Sequence, residues 1–168
     1  MDNFKRIARF EIVSFDQFKN SFEDKNDDEI KKIYESLSIP KRATKGSAGY
    51  DFYAPFDICL APGQTIKIPT GIRVYMEENY VLKLYPRSGL VFKYRLQLNN
   101  KVGIIDSDYY ENEDNDGHFM FAYYNFFDHD VEIKKGDPIG QLIFMKYLTA
   151  DNDNAQGERK GGFGSTGR

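Results

Sequence analysis

At 168 residues the chain has the length of one domain with a sizeable core. Its 23 Lys and Arg against 26 Asp and Glu leave a net charge of −3. That balance argues against a general nucleic-acid binder, whose phosphate contacts call for a basic excess. With one cysteine, Cys59, neither an intramolecular disulfide nor a multi-cysteine zinc site is expected. No apolar run approaches the length of a membrane span, and residues 4–10 are interrupted by Lys5, Arg6 and Arg9, unlike a signal peptide. No membrane partner is expected, and the cytoplasm is the expected compartment.

Residues 4–13 alternate loosely enough for a strand. Ser14 followed by Gln17 fits a capping box, and Phe15, Phe18 and Phe22 keep helical spacing. After an acidic break at 24–28, Ile30, Ile33, Tyr34 and Leu37 fall at i, i+3, i+4 and i+7 and stop before Pro40, the pattern of an amphipathic helix. Residues 14–38 thus read as a helical pair inserted between strands, either packed on the main body or offered to a protein partner. From Gly46 onward the texture changes. Short alternating runs appear at 56–60, 65–68, 71–75, 80–85, 96–98, 118–124, 131–133 and 139–146, separated by turn signals such as Ala61-Pro62-Gly63 and Lys135-Gly136-Asp137-Pro138. This spacing predicts an all-β barrel or sandwich occupying residues 1–150. Residues 150–168 carry almost no apolar side chain other than Phe163 and are expected to form a mobile tail.

The stretch with most chemistry is Val102-Gly103-Ile104-Ile105-Asp106-Ser107-Asp108-Tyr109-Tyr110. A short apolar strand here delivers two carboxylates, a hydroxyl and two phenols to its mouth. In an extended chain Asp106 and Asp108 share one face. A carboxylate leaving an apolar strand loses some of its water, which suits it to take a proton. Four further stretches stand apart from it. Gly46-Ser47-Ala48-Gly49-Tyr50-Asp51 sets a carboxylate after small residues. Pro86-Arg87-Ser88-Gly89-Leu90 sets a guanidinium and a hydroxyl at a strand end, a sensible phosphate contact. Gly140-Gln141 opens a strand with an amide. The tail joins Arg159 and Lys160 to Gly161-Gly162-Phe163-Gly164-Ser165-Thr166-Gly167, whose N–H groups can wrap an anion, although it lacks the Lys-Ser/Thr ending of a P-loop.

Together and in this order, from about Lys41 to Arg168, these stretches resemble the five motifs of the trimeric dUTPase family. The resemblance implies a jelly-roll-like β-barrel of the dUTPase-like β-clip type. It also implies a homotrimer with active sites between subunits and a tail that closes a neighbour's site. The implied reaction is Mg²⁺-dependent hydrolysis of dUTP to dUMP and pyrophosphate. By the same resemblance Asp106 is the general base that activates water for attack on the α-phosphorus, and Asp51 meets magnesium through bound water. Arg87, Ser88 and Gly89 contact the α/β-phosphates, and Gln141 binds phosphate. Asn100 and Gly103 belong to the hairpin that reads uracil, and Tyr109 packs on the deoxyribose, leaving no room for a 2′-hydroxyl. In the tail Arg159 meets phosphate, Phe163 stacks on the base, and Gly164, Ser165 and Thr166 lie where the tail meets the triphosphate. Such a set suits a triphosphate, whose hydrolysis depends mainly on positioning and electrostatics. Mg²⁺ keeps several waters and takes ligands from phosphates, so no dense carboxylate cage is required.

Two departures from the family pattern stand out. Residues 111–116 intervene after Tyr109-Tyr110 where a glycine usually follows, and are read as a solvated hairpin tip or a cation or protein contact. The tail arginine is also displaced by one residue, leaving Arg159 and Lys160 as alternatives at the γ-phosphate. His118 and His129 are read as isolated surface residues. The aromatic run 119–127 is read as core and subunit interface, because basic residues do not interleave it as they do on a base-stacking platform. Two other functions compete. A dCTP deaminase relative would carry Arg-Ser-Ser where this chain has Arg87-Ser88-Gly89. A nucleotide-sensing interaction protein would use residues 14–38 or the acidic loop on a partner.

Overall fold

The computed structural model describes residues 5–94, 96–157, 159, 161 and 162. The chain order is β1 (Ala8–Ile12), α1 (Phe15–Lys19), α2 (Asp27–Glu35), β2 (Lys41–Arg42), β3 (Tyr50–Tyr53), β4 (Ile58–Leu60), β5 (Thr65–Pro69), β6 (Ile72–Met76), β7 (Tyr80–Pro86), α3 (Ser88–Tyr94), β8 (Leu96–Leu98), β9 (Gly103–Asp106), β10 (Met120–Asn125), β11 (Val131–Ile133) and β12 (Pro138–Lys146). All strand pairings are antiparallel. The largest sheet runs β2-β3-β12-β7-β9, and a second runs β5-β10-β8. Pairs β1-β6 and β11-β4 complete an all-β, jelly-roll-like arrangement with short helices, all-β as the spacing of alternating runs predicts and jelly-roll-like as the resemblance implies.

The core follows from period-two alternation. β10 turns Phe121, Tyr123 and Asn125 inward, while β7 and β12 bury Leu82, Leu84, Ile139 and Leu142 between the sheets. The Phe52 and Phe121 rings stack at 5.2 Å, and the buried Tyr123 hydroxyl donates to the Ile139 carbonyl. Gly140 lies where a Cβ would run into the Phe121 ring, so the strand can approach that ring only without a side chain. Truncating a buried leucine such as Leu82 removes about 2–5 kcal/mol of stability in a core of this density.

The helical pair forms where its periodicity places it, with a small core of its own made by Val13, Phe18, Ile30 and Ile33. Ser14 accepts from the Gln17 N–H, which is one half of the anticipated box. The complete reciprocal box is instead Asn26 with Glu29, at the start of α2. Phe18 faces the His118 ring at 6.2 Å, which ties the insertion to the barrel. Among the described residues no helix is long and apolar enough to cross a membrane.

Candidate functional site

β9 ends at Asp106, and Ser107–Tyr109 then tightens into a single 3-10 turn. The chain is therefore not extended through Asp108, as alternation alone suggests. The two carboxylates nonetheless converge on a third group. The Arg159 Nη2 lies 2.5 Å from Asp106 Oδ2, and its Nε lies 2.7 Å from Asp108 Oδ1. The aspartate side chains remain 49% and 56% exposed, against 16% for Arg159, so the acids stay open to solvent while the guanidinium is tucked in. Burial works against the charge of Arg159, but the hydrogen bond to Asp108 and both carboxylate charges outweigh it and raise its pKa.

Asp106 and Arg159 border a cavity of about 540 Å³ walled by Leu84, Leu98, Ile105 and Phe119 and reached by Asn100, Gly103 and Tyr109. Asn100 is exposed on the link between β8 and β9. Those two strands pair into different sheets, because β8 is taken by β10 and β9 by β7. The uracil-reading segment expected to be a hairpin is thus a turn that switches sheets. Tyr109 is 5% exposed, and burial raises its pKa, the hydrogen bond from Asn115 and the charge of Arg159 opposing only in part. The tail lies directly against it, since a Cβ on Gly162 would come within 2.7 Å of the Tyr109 ring.

The second group sits at the other end of β7. Antiparallel register sets Gln141 opposite both Asp51 and Tyr85, so these side chains share one face. The Arg87 Nη1 lies 2.7 Å from Asp51 Oδ1, a pair whose aspartate is only 11% exposed. With Ser88 and Gly89 they border a separate, more polar cleft of about 390 Å³. Residues 88–94, where the sequence shows no alternating or helical period, form α3, anchored by the Arg87 carbonyl accepting from the Leu90 N–H at 3.0 Å.

The structure therefore brings Asn100, Gly103, Asp106, Tyr109 and Arg159 together, and separately Asp51, Arg87, Ser88, Gly89 and Gln141. It does not bring the two sets together within one chain. Asp106 pairs with Val81, whereas Arg87 follows Pro86, so about six residues of strand, roughly 20 Å, lie between them. The roles foreseen for Lys160, Phe163, Gly164, Ser165 and Thr166 fall outside the described residues.

Two readings of single residues are corrected. His118 is fully buried rather than a surface residue. Its Nε2 accepts the Gly71 N–H at 2.9 Å, so the proton resides on Nδ1, which has no partner among the described residues. Burial pushes its pKa down to about 4. The 111–116 segment is also not a free hairpin tip. Asp116 pairs with Arg73 at 2.5 Å, and Arg73 pairs with Glu11 at 2.9 Å, fastening the loop to β1 and β6. Gly117 takes a positive φ with its Cβ position only 2.6 Å from the Tyr109 carbonyl, so the chain returns tightly there on a residue without a side chain. His129 is exposed, as read.

An all-β jelly-roll-like barrel with an apolar-walled cavity bordered by Asp106 and Arg159 at one end of β7 and an Arg-Ser-Gln cleft at the other defines a class of ligand-binding β-barrel proteins. A family model described as dUTPase matches residues 35–167. The chain is 49% identical over 164 residues to the deoxyuridine 5′-triphosphate nucleotidohydrolase of Lactococcus lactis, covering 96% of this chain and 99% of that protein. It is 41% identical over 145 residues to the protein of the same name from Actinobacillus pleuropneumoniae serotype 3, covering 82% and 92%. The crystal structure of dUTPase from Streptococcus mutans superposes with a TM-score of 0.68 at 34% identity, covering 85% of this chain and 98% of that one. The chain belongs to the dUTPase family.

Proposed function

We propose that this chain hydrolyses dUTP to dUMP and pyrophosphate at a site shared between copies of itself. One observation carries the reading. Asp106 stands half-exposed at the mouth of an apolar cavity, with Tyr109 as a wall and Asn100 and Gly103 at the rim. A base and deoxyribose fit such a cavity, and the α-phosphate then lies near the carboxylate. Asp106 takes a proton from water, the water oxygen bonds to the α-phosphorus, and the bond to the bridging oxygen breaks to release pyrophosphate. Arg87, Ser88 and Gln141 offer the donors that a triphosphate needs, but they lie at the far end of β7. A second copy supplying that cleft, in a homotrimer, completes the set.

Mg²⁺ suits this donor set. Among the described residues no group of three or more His, Cys, Asp or Glu could cage a metal. A cation held mostly by phosphate oxygens and water, with Asp51 in its outer sphere, agrees with that sparseness. When bound, the ion neutralises charge developing on the phosphates. Arg159 pairs with Asp106, so catalysis by this carboxylate calls for the guanidinium to turn to the triphosphate of a nucleotide, in the same copy or a neighbour.

Pyrophosphate release from dUTP, measured beside dTTP, dCTP and UTP with and without Mg²⁺, tests the reading. It requires turnover of dUTP at least 10³-fold above the others in kcat/KM, and only with the metal. Equal turnover of dUTP and UTP, or full activity in a chelator, contradicts it.

A further inference from the structure

The inserted loop reaches the cavity wall through one side chain. Asn115 Nδ2 donates to the Tyr109 hydroxyl at 2.6 Å, while its Oδ1 accepts the Gly117 N–H at 3.2 Å. The second contact fixes which way the amide points, because only the oxygen can receive that N–H. The Tyr109 hydroxyl in turn donates to the His118 carbonyl at 3.3 Å. Both capacities of the phenol are thereby used, and the ring is held at its outer end. The loop that carries Asn115 is itself braced, since Asp116 pairs with Arg73 and Arg73 with Glu11.

We propose that Asn115 is a positioning residue for sugar discrimination: it pins Tyr109, the ring against which the deoxyribose packs, so that a 2′-hydroxyl finds no space. The proposal rests on the reading of Tyr109 given above. The physical argument is one of stiffness. Excluding a hydroxyl sterically requires a wall that does not yield by a fraction of an ångström, and a ring held only by its Cβ swings at its far end. The hydrogen bond from Asn115, made at that far end and shorter than the one to the His118 carbonyl beside it, limits this freedom in a ring that is otherwise packed in the core. The 111–116 insertion thus acts on specificity without touching the nucleotide, in contrast to a solvated tip.

The test is the ratio of kcat/KM for dUTP over UTP in Asn115→Ala, Tyr109→Phe, the double variant and Tyr109→Ala, with Asn115→Asp as the variant that keeps the Gly117 contact and accepts the phenol proton, drawing it from the His118 carbonyl so that the hydrogen bond runs the other way. Losing one hydrogen bond predicts a ratio about tenfold lower in Asn115→Ala. Tyr109→Phe, which keeps the ring and deletes the hydroxyl with its bonds to both Asn115 and the His118 carbonyl, falls at least as far, and the double variant falls no further than Tyr109→Phe alone. Asn115→Asp recovers most of the ratio. An unchanged ratio in Asn115→Ala and Tyr109→Phe, with a fallen one in Tyr109→Ala, overturns the role of Asn115 and leaves Tyr109 as the wall. An unchanged ratio in Tyr109→Ala overturns the reading of Tyr109 itself. A drop in Asn115→Ala that adds fully to that of Tyr109→Phe shows that the loop acts elsewhere, and also overturns the proposal.

Discussion

At one end of β7 the chain builds an apolar-walled cavity mostly from residues 98–122, with Lys67 and Leu84 added from β5 and β7 and Arg159 paired to Asp106 and Asp108. At the other end it builds a more polar cleft from the 43–49 loop, β3, β12 and the start of α3, where Arg87, just past β7, pairs with Asp51 of β3. The cationic partner of the first region is carried on a tail, whereas that of the second is fixed at a strand end. The contrast teaches a division of labour. On the proposed reading the cavity takes the base and sugar beside the Asp106 carboxylate, and the cleft offers preorganised donors to phosphate, where catalysis of phosphoryl transfer gains most from rigidity.

The largest expected effect comes from removing the base on the cavity side. Asp106→Asn keeps the shape of the site and should lower kcat by about 10²-fold or more, checked by pyrophosphate release from dUTP. Turnover within a few-fold of the unaltered chain would remove Asp106 from the chemistry and dissolve the contrast between the two ends.

Acid should weaken the same side first. His118 is neutral and buried with a pKa near 4, below its unfolded value of about 6.5, so the folded state binds fewer protons. Its contribution to stability is complete above about pH 6.5 and declines as pH falls toward 4. Between pH 7 and 4.5 the loss is about 2.5 kcal/mol. His118→Gln keeps an acceptor for the Gly71 N–H without a titratable ring, and urea unfolding at the two pH values should show that much less acid sensitivity. Equal sensitivity in both proteins would mean that the ring is not held neutral.

A smaller effect is expected from the tail. Its ion pairs to Asp106 and Asp108 involve half-exposed carboxylates and stabilise the fold by at most about 1 kcal/mol. Deleting residues 157–168 should therefore lower turnover by about tenfold or more while shifting Tm by only about 2 °C. A collapse of Tm with little change in specific activity would make the segment structural rather than a cover for the site.

Much of this architecture is legible in the sequence because strands leave a local record. Alternation located β5, β7, β8, β10 and β12, and heptad-like spacing located α2. Contacts between distant residues leave no such record. The Glu11-Arg73-Asp116 brace joins residues 43 and 62 positions apart, and nothing in the neighbourhood of Asp116 announces it. His118 looked like a surface residue because one polar side chain beside an aromatic run carries no sign of which face it takes. α3 escaped notice because Leu90, Val91, Phe92 and Tyr94 suit a strand, and only the turn at Arg87 commits them to a helix. The candidate site was legible as motifs, but its division between the two ends of one strand was not, since motif order carries no distance.

Mixing two inactive chains probes that division most directly. Asp106→Asn and Arg87→Ala proteins, each nearly inactive alone, are unfolded together and refolded as mixed oligomers. A site built from two copies predicts recovery toward about a quarter of the unaltered rate, the random-mixing share of sites with both groups intact. No recovery from mixed oligomers shown to have formed would place Asp106 and Arg87 of the same chain in one site, and would contradict the account.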